Sequence, residues 1–191
     1  MSWQNEFINT FYEVVHTENT VLSSLNRSRV GYHRYGRGVR DLAEVHLQYL
    51  LFRALLSNSY FDRWCVEIWT PYGRRKNTKS RRLHVDFSLT KTRYGKEDDS
   101  SWTAIEMKRW DAAEARKDYE RLQSMSNNRG LLIYRFGQRP VDLGAQIEES
   151  FEFRRLMRKF EISAPGDCEL DVADSEGGRL RYHFAAVLLT W

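Results

Sequence analysis

Ala104-Ile105-Glu106-Met107-Lys108 is the stretch on which the reading of this chain turns. It puts a carboxylate and an ammonium two residues apart inside an apolar segment, Trp102 to Met107, whose composition predicts a β-strand. Residues i and i+2 of a strand point to the same face. Glu106 and Lys108 therefore share one face, and Ile105 and Met107 share the other. Burying charge is costly unless it is paired or bound to metal, so this face calls for a chemical explanation. By itself Glu-x-Lys is a weak pattern in a chain with 26 acidic and 30 basic residues, and its neighbours must decide its meaning.

Upstream, Trp64 to Thr70 predicts a strand ending at the turn signal Pro71-Tyr72-Gly73. Leu83 to Thr90 predicts another, with Val85, Phe87 and Leu89 on one face and His84, Asp86 and Ser88 on the other. A helix is expected over Val39 to about Ser57, where Leu42, Val45, Leu47, Leu50, Leu51, Ala54 and Leu55 supply a wide apolar face. Downstream, Asp111 is a suitable N-cap for a helix reaching about Met125. The wholly apolar run Leu131 to Tyr134 fits a strand buried on both faces. An N-terminal helix from Trp3 to about Leu25, a helix over Leu143 to Phe160, and a hairpin of Glu169–Val172 with Leu180–Leu189 complete the pattern. The expectation is a single α/β domain over 1–191 with a central mixed sheet flanked by helices. Its core spans about 39–136, with a helical extension at 1–38 and a helix plus hairpin at 140–191.

With 191 residues and a hydrophobic fraction of 41%, the chain can bury a substantial core. No apolar run reaches membrane-spanning length, the start lacks a secretion-signal pattern, and two isolated cysteines make no disulfide framework or zinc site. A reduced, cytoplasmic setting without membrane contact is expected. Net charge is only +4, so charge placement says more than the total. Arg74, Arg75, Lys76, Lys79, Arg81 and Arg82 form one acid-free cluster. Arg27, Arg29, Arg34, Arg37 and Arg40 form a second, interleaved with Tyr and Gly. Either cluster is readable as a solvated loop; together they favour contact with a nucleic-acid backbone. The motifs of P-loop enzymes, nucleophile-elbow hydrolases and His-Glu-x-x-His metalloproteases do not occur.

Charged candidates thus fall at fixed stations in a helix-strand-strand-strand-helix-strand order: Glu44 on the helix, Asp86 on the second strand, Glu106 and Lys108 on the third. In this the chain resembles the PD-(D/E)xK nuclease superfamily, the restriction-endonuclease-like fold, with Val85-Asp86 standing where the signature has Pro-Asp. The resemblance implies an αβββαβ core and a metal-dependent nuclease acting on DNA. Asp86 and Glu106 would bind Mg²⁺ or Mn²⁺, with the Met107 main-chain carbonyl a further ligand. Lys108 would orient the attacking water or stabilise charge in the transition state. Glu44 would approach the metal directly or through water; the alternative is a surface residue pairing with Arg40 or Gln48. Lys117, Asp118 and Arg121 are expected to pair within their own helix, and the tryptophans Trp64, Trp69, Trp102, Trp110 and Trp191 to be core. The resemblance is compatible with a homodimer, since two sites cut two strands. A catalytically inactive nucleic-acid-binding or protein-interaction module is the competing reading.

Overall fold

The computed structural model describes residues 2–27, 38–71, 84–123, 128–173 and 179–191. A sheet of eight strands, in the order β1-β2-β4-β5-β8-β6, carries helices on its faces. Its strands are β1 (Trp64–Pro71), β2 (His84–Arg93), β3 (Lys96–Glu97), β4 (Thr103–Arg109), β5 (Asn128–Gly137), β6 (Glu161–Ser163), β7 (Asp167–Ala173) and β8 (Arg179–Thr190). Two-residue β3 pairs with β2, and β7 pairs with β8. The helices are α1 (Trp3–Arg27), α2 (Glu44–Ser57), α3 (Ala112–Gln123) and α4 (Leu143–Glu149). The expected α/β class, mixed sheet, N-terminal helix and C-terminal hairpin are all present.

The sheet is mixed because one connection is long. β1, β2 and β4 run antiparallel in sequence, whereas β4 reaches β5 in parallel through α3. A parallel neighbour needs such a crossover. β5 is the central strand, and Gly130 to Tyr134 is buried throughout, as a strand covered on both faces must be. On one face Phe7, Phe11 and Val15 of α1 and Leu47, Leu51 and Leu55 of α2 pack with Phe87, Ile105, Met107 and Leu132. On the other, Ala115 and Tyr119 of α3 and Leu143 and Ile147 of α4 cover Leu131, Ile133 and Val187.

Two helix boundaries differ most from the sequence expectation. The helix expected from Val39 begins only at Glu44, after a 3-10 turn over Gly38–Asp41. Gly38 holds φ +61°, and Ala43 is extended, so the chain changes direction between them. Leu42 consequently lies in the connection, and Val45 faces solvent at 52% exposure. The helix expected over Leu143 to Phe160 stops at Glu149, because Ser150 leaves helical geometry at φ −67°, ψ 139°. Tight turns then bury Phe153 while Phe151 is 91% exposed. Three-residue β6 was too short to announce itself in sequence.

Between β6 and β7 the edge of β8 is left open at Ala186 and Val187. Tyr12 of α1 closes it. The Ala186 N–H donates to the Tyr12 hydroxyl at 2.8 Å, and that hydroxyl donates to the Gly166 carbonyl. Burial raises the Tyr12 phenol to about 12, so it remains a donor.

Candidate metal and substrate site

The β2–β4 ladder runs through Leu89↔Thr103, Ser88↔Ala104 and Phe87↔Ile105, and stops there. One step further in the same register Asp86 faces Glu106. Where the ladder ends, the N–H groups of Met107 and Arg109 still point toward the β2 side and need acceptors. Carboxylates supply them. Met107 N–H donates to Asp86 Oδ2 at 2.8 Å, and Arg109 N–H donates to Glu44 Oε2 at 3.1 Å. A strand residue directs its N–H and C=O to the same side, so the Met107 carbonyl also points toward Asp86.

Glu106 is 2% exposed. The Arg121 guanidinium of α3 lies 2.7 Å from its Oε2 and donates to Asp118 Oδ1 at 3.0 Å. Oε1 of Glu106 is buried and has no hydrogen-bond partner. Burial first, and then the charge of Asp86, push the Glu106 carboxyl up to about 9. The short Arg121 contact alone would suggest an ionised Glu106. Desolvation and the neighbouring Asp86 outweigh it, so Glu106 holds its proton above neutral pH. Burial likewise raises Glu44, Asp86 and Asp118 above the ordinary carboxylate range. The charge of Lys108 opposes that rise in all three.

The structure thus gathers Asp86, Glu106, Lys108, Met107 and Glu44 at the end of β4. Glu44 is the first residue of α2, tied to the Arg109 N–H; Arg40 instead lies over the Tyr182 ring, 4.9 Å from its centre. Lys117 pairs with Glu114 on the outer side of α3. The expected cationic contacts Arg74, Arg75, Lys76, Lys79, Arg81 and Arg82, with Arg34 and Arg37, lie outside the described residues.

Two features were missed. Arg121 does pair with Asp118 as its i,i+3 spacing suggests, but it continues across to Glu106. Its only sequence signal was a cation on the helix following the Glu-x-Lys strand. Trp69 is not core: it is 44% exposed, holds φ +51° and donates its indole N–H to Gln48 Oε1 at 3.0 Å. A bulky residue in the left-handed region is rare and costs about 1–3 kcal/mol.

A hard cation fits this donor set on one observation, the partnerless buried Oε1 of Glu106 opposite Asp86. Mg²⁺ characteristically takes one or two carboxylates and keeps waters. Among the described residues no group of three His, Cys, Asp or Glu side chains is assembled to hold an ion. Among them, too, no helix is long and apolar enough to cross a membrane. No protein-family model, curated protein or solved structure matches the chain.

Proposed function

We propose that this chain is a Mg²⁺- or Mn²⁺-dependent nuclease that hydrolyses phosphodiester bonds in DNA, related in design to the PD-(D/E)xK superfamily. The observation that carries the proposal is the pairing of Asp86 with a buried Glu106 where β2 and β4 part, with Lys108 beside them. Two carboxylates this close repel unless a proton or a cation lies between them. Asp86 and Glu106 hold the cation in this reading, with the Met107 carbonyl on the same side. The bound ion would supply charge neutralisation at the phosphate and a water of lowered pKa.

The protein side chains do the rest. Lys108 positions that water or meets charge developing on the phosphoryl oxygens. Glu44, anchored on the Arg109 N–H, fixes the start of α2 against the end of β4. Arg121 balances the site's negative charge in the absence of a cation, through Glu106 and Asp118.

The same Arg121 contact favours a second reading, a nucleic-acid-binding module in which a guanidinium permanently takes the cation's place. Incubation of plasmid and single-stranded DNA with Mg²⁺ or Mn²⁺ separates the two. A nuclease gives products with the wild type and none with Lys108→Ala, whereas a module gives salt-dependent binding and no products. Equal background from wild type and Lys108→Ala removes the nuclease reading.

A further inference from the structure

We infer that Trp69 is a stacking platform for an unpaired nucleobase beside the Asp86–Glu106 carboxylates, an inference that rests on the nuclease reading above. Along β1 and β2 the paired residues run Ile68↔Phe87, Thr70↔Val85 and Pro71↔His84. The ladder passes over one position, where Trp69 stands across from Asp86. There the backbone turns into the left-handed region at φ +51°. No glycine relieves it, so the surrounding structure must hold it.

The indole is also held at its far end. Its N–H donates to Gln48 Oε1, and Gln48 is only 5% exposed. Gln48 lies one helical turn after Glu44, the residue that accepts from the Arg109 N–H. A single stripe of α2 therefore ties Trp69 to the end of β4 at Arg109, beside Asp86 in the β1–β2 register. Of the six tryptophans, Trp69 is the only exposed one. Trp102 is 4% exposed, Trp64 packs against Trp3, and Trp191 packs against Phe160.

A strained backbone and a buried anchor give a flat apolar surface in water at a fixed place. With its N–H already bonded, the indole offers chiefly its π-face, and every nucleobase has a π-face to match. A base inside a duplex has both faces covered, which selects for unpaired bases. Stacking there brings the sugar-phosphate of the same nucleotide toward Asp86, Glu106 and Lys108. Trp69 would thus select substrates with a single-stranded, frayed or flipped nucleotide.

Binding in chelator, at low salt, tests this without hydrolysis. The probes are a thymidine oligomer and an abasic oligomer of equal length, read by intrinsic fluorescence. The thymidine oligomer should quench the wild-type emission. Trp69→Ala should lose that quench and bind more weakly, on the order of tenfold to a hundredfold. Trp69→Phe, which keeps a ring, should recover most of the affinity, and the abasic oligomer should bind wild type as weakly as Trp69→Ala binds thymidine. Equal affinity of wild type and Trp69→Ala overturns the inference, as does wild type binding both oligomers alike or neither. Should Trp69→Ala fail to fold in a thermal melt, the abasic comparison on wild type decides alone. Hydrolysis with Mn²⁺ is scored separately. Base-dependent binding through Trp69 without products leaves this inference and removes the nuclease reading; products with no part for Trp69 do the reverse.

Discussion

Replacing Glu106 with Gln should stabilise the metal-free protein, and do so increasingly as pH rises. The folded Glu106 carboxyl keeps its proton to about 9, against an ordinary value of 4.5. Between those values unfolding releases a proton, so the stability this group contributes is present below pH 4.5 and is lost as pH rises toward 9. The slope is ~1.4 kcal/mol per pH unit, which gives about 3 kcal/mol lost between pH 6 and pH 8. Gln reproduces the protonated acid without titrating: its carbonyl can accept from Arg121 and its NH₂ can donate to Asp86. The difference between the two curves reports the titration of Glu106 together with the part of the Asp86 shift that depends on it. Urea unfolding in chelator at pH 6, 7 and 8 measures it. Wild type should lose roughly 3 kcal/mol more than Glu106→Gln across that range. Parallel curves would refute the buried proton on Glu106 and, with it, the account of why the carboxylates are paired. Adding Mn²⁺ at pH 8 supplies the counterpart. It should raise the wild-type midpoint, by about 2.7 kcal/mol at a hundred times the Kd, and leave Glu106→Gln nearly unmoved.

Tyr12→Phe leaves the Ala186 N–H and the Gly166 carbonyl without the hydroxyl they share, and should cost about 1–3 kcal/mol in urea unfolding with no change in any DNA cleavage. Gly38→Ala would put a Cβ 2.5 Å from Asn19 Oδ1 and 2.9 Å from Val172 Cγ2, at φ +61°. That substitution should destabilise by about 2–3 kcal/mol, seen as a lowered Tm. Glu44→Gln keeps an acceptor for the Arg109 N–H, so its melting temperature should stay near wild type. Any loss of cleavage it shows then reports charge at the site and not the position of α2.

The carboxylate pair was legible because it follows from a period-2 pattern. Val85, Phe87 and Leu89 had to be buried, Ile105 and Met107 had to be buried, and two antiparallel strands in that phase bring Asp86 opposite Glu106. Arg121 was not legible as a member of the site, since its reach depends on how α3 lies over β4 and not on spacing within the helix. Trp69 was hidden for another reason. Left-handed backbone is foretold by Gly or Asn, and a tryptophan there carries no local sign. The end of α4 at Ser150 is masked by Phe153, Leu156 and Phe160, whose apolar spacing imitates a continuing helix while tight turns bury Phe153 and pack the other two against its cluster. Glu44 lies on the expected helix but at its first residue, because residues 39–43, which pattern as helix, form a 3-10 turn and an extended link.

The bond between the Ala186 N–H and Tyr12 spans 174 positions of the chain, and it bears on how the molecule comes into being. Helix α1 has its seat among strands that follow it far along the chain: Asn19 donates to the Asp171 carbonyl 152 positions away, and Phe11 packs on Phe184. A nascent chain therefore carries Phe11 of this amphipathic helix without its partner Phe184 until β8 has emerged. Such distant pairings fold slowly and leave apolar surface open meanwhile. Synthesis of this protein should accordingly depend on chaperones more than its size suggests, and a chain ending before β7 should be retained by them.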